Sequence, residues 1–407
     1  MSIIVVQKSR NYSMNSDNFE VVDAQKQVNF IAYLQRLLVE GEFNATYKFA
    51  LLHALADICI ERPINNKFRS SSHSSGMQNI QQNVIIIDEL VEKFIELYWQ
   101  HSLPYMSGEK CQVPTILLQN SGSQSALINN LAYYREQGIR TLSQLKKNDN
   151  WGKLMSQTRR TLKEGPLWRL QLLAGKEECY FYPHTGNNKQ IVLNPDIAYC
   201  FRRFHDLVVS LARSHWTQKV CSLLPNQSLI GGQGDLSDFL FGCSRKSLFK
   251  ARPVLYDIQK GRCFYCNKSI NEDELAITKN EIADTSRGSR QKMMPEVDHF
   301  IPRARYPNDL AHNFVLAHGK CNKAKSDHLA AEEHKDRWFE QNIILNSSEL
   351  TERLQPYFNC DQHRTEAIAT WAYKQAAHNG SMLWLKGKSF EVFDQNSIAV
   401  APEQPDF

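Results

Sequence analysis

Apolar residues recur every three or four positions through "QVNFIAYLQRLLVEGEFNATYKFALLHALADICIE" (residues 27–61), which predicts two helices. The stretch "EGEFNAT" supplies the break and a cap between them. The serine-rich "NKFRSSSHSSGMQN" (66–79) reads as a loop, and "VIIIDELVEKFIELYWQ" (84–100) resumes the helical period. Residues 110–175 read as mostly helical. At 179–195 the pattern changes: two β-prone runs flank "HTGNN", which predicts a hairpin. A long amphipathic helix follows from "DIAYCFRRFHDLVV", with His205 on its packing pattern. The glycines of "IGGQGDLSDFLFG" (230–242) read as a hinge; no Gly-Lys-Ser/Thr follows, so this is not a phosphate loop.

These segments predict an α+β chain, mostly helical at first and mixed later. Its expected divisions are a helical module over 1–105, a basic helical region with a small hairpin over 106–240, a compact mixed domain over 241–345, and a helical and β extension over 346–407. At 407 residues the chain is long enough for several cores. It carries no apolar run of about 18 residues and only a four-residue apolar stretch near its start, so a cytoplasmic location is expected. Ten cysteines are scattered along it and are expected to be mostly free thiols, with Cys59 in the core.

The net charge of +5 says little by itself, but its distribution says more. From Arg135 to Arg169 there are nine Lys or Arg against three acids, with Tyr133, Tyr134, Trp151 and Trp168 interleaved. Cations with aromatics suit a nucleic-acid surface, Arg159 and Arg160 among them; a solvated helical face gives the same composition.

"CFYC" places Cys263 and Cys266 three apart, a spacing shared by redox couples and metal knuckles. Some fifty residues on, "HGKC" repeats it with His318 and Cys321. Two such knuckles can close a tetrahedron around structural Zn²⁺. Between them, "EVDHFIP" reads as a strand running into a turn, "NFVLAH" as a second strand and "CNKAKSDH" as a helix. That order brings Asp298, His299, Asn313 and Asn322 toward one point. A carboxylate and an amide oxygen suit a hard cation such as Mg²⁺ or Mn²⁺, and an imidazole can take a proton from water near neutral pH.

Residues 261–330, through "CFYC", "VDHFIP" and "HNFVLAHGKCNKAKSD", resemble the HNH, or ββα-metal, endonucleases of the zinc-clasped type. The resemblance implies His299 as general base, Asn313 orienting its imidazole through the side-chain oxygen, and Asp298 with Asn322 holding one divalent metal. It implies hydrolysis of phosphodiesters in DNA, expected to be double-stranded; Arg303 and Arg305, four and six residues after the base, are placed to clamp a neighbouring phosphate, with surface solubility the alternative reading. Two positions depart from the commoner pattern: the second knuckle is H-x-x-C, and the helix position is Asn rather than His. His328 and His312 are set aside as catalytic candidates on their offsets. The loop "RGSRQK" (287–292) is a groove-facing candidate. A nuclease motif joined to a long helical region also resembles nuclease components of bacterial defence against phage, which implies a possible protein partner. The alternatives are a zinc-stabilised DNA-binding or scaffold protein without catalysis, and an RNA-directed nuclease.

Overall fold

The computed structural model describes residues 22–62, 83–105, 114–184, 189–230, 233–242, 248–275 and 294–392. The loop 66–79 and the groove candidate 287–292 lie outside the described residues. The architecture is α+β: mostly helical, with small two-stranded sheets.

Helix α1 (Ala24–Glu40) starts where the Asp23 carboxylate accepts from the Gln25 amide, and buries Phe30, Leu34 and Leu37. Helix α2 (Tyr47–Glu61) is buried from Lys48 to Ile60, so it runs through the middle of the protein rather than over a face. The next helix starts later than its periodicity suggests. Val84–Ile86 are β-branched and form strand β1, and α3 (Ile87–Trp99) begins after it, with the Glu89 carboxylate accepting from the Ile86 amide. Helices α4 (Ala126–Glu136) and α5 (Trp151–Glu164) follow.

The hairpin expected over 179–195 is not formed among the described residues. A smaller one pairs β2 (Leu172–Leu173) with β3 (Lys176–Glu177), turning at Ala174 and Gly175, both at positive φ. Buried Gln171 takes up the backbone of the first β-prone run: its Oε1 accepts from Phe181 N at 2.6 Å and its Nε2 donates to Tyr182 O at 2.8 Å. The second run, β4 (Gln190–Val192), pairs antiparallel with β1, Val84 opposite Val192. The expected long helix is two, α6 (Ile197–Arg203) and α7 (His205–Ser222), broken at Phe204. The hinge segment is helical from Gln233, as α8 (Gln233–Phe241).

Helix α9 (Arg252–Ile258) leads into the first cysteine knuckle. Strands β5 (Pro295–His299) and β6 (Phe314–His318) pair in antiparallel register, Pro295 opposite His318 and His299 opposite Phe314. Helix α10 (Gly319–Lys325) leaves β6 directly, giving strand, strand and helix in the predicted order. Helix α11 (Glu332–Trp338) runs into a π-helical turn, Phe339–Leu345. Helices α12 (Ser347–Leu354) and α13 (Gln362–His378) and the hairpin of β7 (Met382–Lys386) with β8 (Ser389–Val392) complete the described chain.

Buried apolar side chains form two clusters. One holds Phe30, Leu55, Phe94 and Trp216; the other holds Phe300, Phe314, Trp338 and Trp384. Helix α2 serves both, since Ile60 at its end belongs to the second. A polar stripe at four-residue spacing, His53, Asp57 and Glu61, follows the same helix. Glu61 Oε1 receives the Tyr306 hydroxyl at 2.6 Å and lies 2.8 Å from Arg364 Nη2, which also pairs with Glu96 at 2.7 Å. A charge-assisted network thus fixes the loop after β5 against the helical core.

Candidate active site and metal clasp

Period-two alternation puts Glu296 and Asp298 on one face of β5, and the strand ends on His299. Asp298 Oδ2 accepts from the Tyr265 hydroxyl at 2.6 Å and from Lys325 Nζ at 3.0 Å. Burial, then the Asp298 charge, hold the Tyr265 phenol well above its usual range, so it remains a neutral donor. Lys325, fully buried, also donates to His299 O at 3.0 Å. Its ammonium therefore ties α10 to the end of β5.

His299 Nε2 lies 2.8 Å from Asp309 Oδ1. A carboxylate accepts, so Nε2 carries the proton and Nδ1 is left with its lone pair. The ring meets Phe314 edge to face, centroids 5.1 Å apart.

Asn313 does not do what was expected of it. Its Oδ1 accepts from Ile301 N at 2.8 Å and its Nδ2 donates to Ile301 O at 2.9 Å, while its own carbonyl accepts from Phe300 N. An amide matches one donor and one acceptor on a peptide unit, and both ends of Asn313 are engaged this way. Asn313 fixes the chain just after His299; the imidazole is oriented by Asp309. Asn322, on the first turn of α10, donates Nδ2 to Glu296 Oε2 at 2.8 Å rather than meeting Asp298. His312 is buried against Ser347 and Thr351 and His328 packs on Phe390, so neither joins the site.

As donor types, a carboxylate and an amide oxygen are those a divalent cation takes. Asp298 keeps Oδ1 and Asn322 keeps its amide oxygen, both hard donors. The Lys325 ammonium already offsets part of the Asp298 charge.

Cys263, Cys266, His318 and Cys321 offer ligand atoms all within 4.8 Å of one another. His318 Nδ1 lies 3.3 Å from Cys266 Sγ, and Nε2 faces Ser269 O at 3.2 Å. A ring N–H donated to a backbone carbonyl leaves the other nitrogen for a metal, the usual support of a ligating histidine. The Cys263 thiol is pulled down to about 4, first by the hydrogen bond from Cys321 and then against burial by backbone amides. Cys321, as donor to Cys263, is pushed up. Three sulfurs sharing protons in this way fit a Cys₃His site for Zn²⁺.

The proposed nucleic-acid contacts lie elsewhere. Arg159 pairs with Asp88 and Arg160 with Glu164, each at 2.7 Å, so their charge is met within the chain. Tyr134 is buried, while Tyr133 and Trp168 are exposed. Arg303 donates to Pro307 O at 2.8 Å and lies 4.0 Å from Asp309; it and Arg305 border a cleft described below.

Tyr265, Glu296, Asp309 and Lys325 were missed by the sequence reading. Glu296 had a signal in its two-residue spacing from Asp298, and Lys325 in its place one turn after Asn322. Tyr265 and Asp309 had none.

Residues 289–331 match the family model described as HNH endonuclease. No curated protein and no solved structure matches the chain. The match supports nuclease chemistry for this segment and a divalent metal to carry it, with DNA the substrate it suggests. Among the described residues no helix is long and apolar enough to cross a membrane.

Proposed function

We propose that the protein is a metal-dependent endonuclease that hydrolyses DNA phosphodiester bonds at the end of β5. The observation that carries this reading is His299, held by Asp309 and with no Nδ1 hydrogen bond among the described residues, next to Asp298 inside the segment that matches the HNH endonucleases. His299 Nδ1 takes a proton from water as the water attacks phosphorus. Asp309 holds the ring and stabilises the imidazolium that forms. Asp298 and Asn322 would hold Mg²⁺ or Mn²⁺ through the two oxygens left open. When bound, that ion supplies charge stabilisation for the phosphoryl and leaving oxygens. Asn313 keeps the Ile301 segment in place, and Zn²⁺ in the Cys₃His clasp would fix the knuckle bearing Tyr265.

A second reading, a zinc-stabilised DNA-binding protein without catalysis, draws on Lys325, whose ammonium already partners Asp298. The test is supercoiled plasmid with purified protein and a divalent-metal series, beside His299→Ala. Metal-dependent nicking or linearisation lost in the variant supports the nuclease; binding with no cleavage under any metal supports the second reading. RNA offered in competition separates the two substrates. A role in defence against phage in the bacterial cytoplasm, with a partner protein, rests on the resemblance alone.

A further inference from the structure

A cleft of about 590 Å³ lies between α7 and the loop that follows His299. Ser210, Arg213, Ser214 and Thr217 form its helical wall, at spacings that share one helix face; Arg303 and Arg305 form the facing wall. The Nε atoms of all three arginines, and Thr217 Oγ1, are buried with no hydrogen-bond partner among the described residues. Burial lowers Arg213 to about 10, so it remains a cation at neutral pH. Arg303 Nη2 donates to Pro307 O and the Arg213 guanidinium lies over the Phe241 ring, 5.0 Å from its centroid, but the Nε donor of each of the three arginines is unmatched; buried donors are ordinarily satisfied, so these three beside one cleft call for an anion that accepts from them. The one carboxylate on the cleft, Asp206, is already held by His205 Nδ1 at 3.3 Å.

Arg303 connects this cleft to the catalytic base. Its Nε lies 4.0 Å from Asp309 Oδ1, the same oxygen that meets His299 Nε2. Among the described residues no Phe, Tyr or Trp lines the space, and the nearby Phe241 ring is covered by Arg213, so they offer no open aromatic face for a nucleobase. That favours recognition of backbone phosphate over recognition of a free nucleotide.

We propose that this cleft seats a non-scissile phosphate of the substrate strand, next to the bond cleaved at His299, with the helical core contributing Arg213 to substrate binding. This rests on the nuclease reading for its direction but not for its test. Seating the strand here would place the scissile bond relative to His299, and the phosphate would share Arg303 with Asp309.

The experiment measures anisotropy of a labelled single-stranded oligodeoxynucleotide in the His299→Ala background, so that binding is read without cleavage. Arg213→Gln and Arg305→Gln should each weaken binding about tenfold whatever the sequence. Each should reduce the slope of log affinity against log salt by about 0.7. Arg213→Lys, which keeps the charge, should recover part of the loss and guards against a folding defect in Arg213→Gln. Unchanged affinity and slope in both Gln variants would overturn the proposal. So would adenosine monophosphate binding that depends on Arg213 while oligonucleotide binding does not. Wild-type plasmid cleavage is scored separately: Arg213-dependent binding without cleavage leaves the cleft standing and removes the nuclease reading. Cleavage with binding that ignores both arginines does the reverse.

Discussion

The Tyr265 hydroxyl donates to Asp298 Oδ2 across 2.6 Å, joining the first cysteine knuckle to the carboxylate proposed to hold the catalytic metal. Tyr265 lies between Cys263 and Cys266, so the clasp that folds the knuckle also aims this hydroxyl. Tyr265→Phe keeps the ring packed against Trp384 and removes only the donor. Partners of this kind typically change metal affinity or activity by about 10–100-fold. The variant should retain zinc, lose about 1.5–3 kcal/mol of stability, and need more divalent metal for half-maximal cleavage. Unchanged metal dependence in a plasmid assay would mean the hydroxyl serves folding alone.

His299→Ala should reduce cleavage by about 10²–10⁴-fold with DNA binding retained. Asp309→Asn separates base from orienter. The amide leaves the imidazole in place without the negative charge opposite Nε2, so the loss should be real but smaller than that of His299→Ala. Circular dichroism of both variants should match the parent. If Asp309→Asn cleaves at the parental rate, the Asp309 contact is dispensable for ring orientation.

Cys266→Ser and Cys321→Ala should each open the clasp. Structural zinc contributes apparent binding free energies of about 10–16 kcal/mol in small peptide systems, far more than a small loop-rich domain can lose. Zinc per chain should fall from one to near zero, and hydrogen exchange should rise across 261–270 and 294–325 while α2 and α3 remain protected. Ligand thiols must lose their protons, so lowering the pH should release zinc from the parent as well. A folded variant that still holds one zinc would mean the ligand set is different.

The ββα order around the site was readable because each piece is local: apolar residues around Asp298-His299 in "EVDHFIP", a short apolar run in "NFVLAH", and paired ligands three residues apart. What was unreadable depends on the tertiary fold. Asp309 and Tyr265 meet His299 and Asp298 through a loop and a knuckle whose paths no periodicity encodes. Asn313 was read from its likeness to an imidazole-orienting position, and only the chain path shows that Ile301 takes both ends of its amide. The hairpin over 179–195 failed because Gln171, ten residues before Phe181 of the first run, and β1, about a hundred before the second, offered its two runs other partners. The basic run was counted correctly, but the acids that meet it, Asp88 and Glu92, belong to α3.

His101 gives a pH dependence of stability. It is fully buried among Tyr98, Trp216 and Phe241, and burial lowers its pKa to about 3. An unfolded histidine titrates near 6.5, so between those values the unfolded chain binds the extra proton. Stability from this group is therefore present above about pH 6.5 and is lost on acidification, at up to about 1.4 kcal/mol per pH unit. His53, also lowered to about 3 by burial, acts in the same direction, whereas His205, which burial would lower but which is raised on balance by donating to Asp206 and Asp57, acts in the other. His101→Gln isolates the first contribution. Urea unfolding at pH 7.5 and 5.0 should show a smaller drop in the variant than in the parent, and equal drops would mean His101 is protonated in the fold.

Arg159 and Arg160 test whether a basic composition is a basic surface. Each is already neutralised, by Asp88 on α3 and by Glu164 one turn away on α5. A phosphate would have to displace these carboxylates before it gained a cation. Exposed ion pairs of this type contribute only about 0–1 kcal/mol, so breaking them costs little stability. Replacing both arginines with Gln should leave oligonucleotide affinity within about twofold and the salt slope unchanged, because no phosphate contact is lost. The Arg213 and Arg305 substitutions should act on both. A fall in affinity for the Arg159→Gln, Arg160→Gln variant, with a slope reduced by about 0.7 for each arginine on single-stranded DNA, would show that the strand takes these cations from their acids. The binding path would then extend from the cleft at α7 across α5.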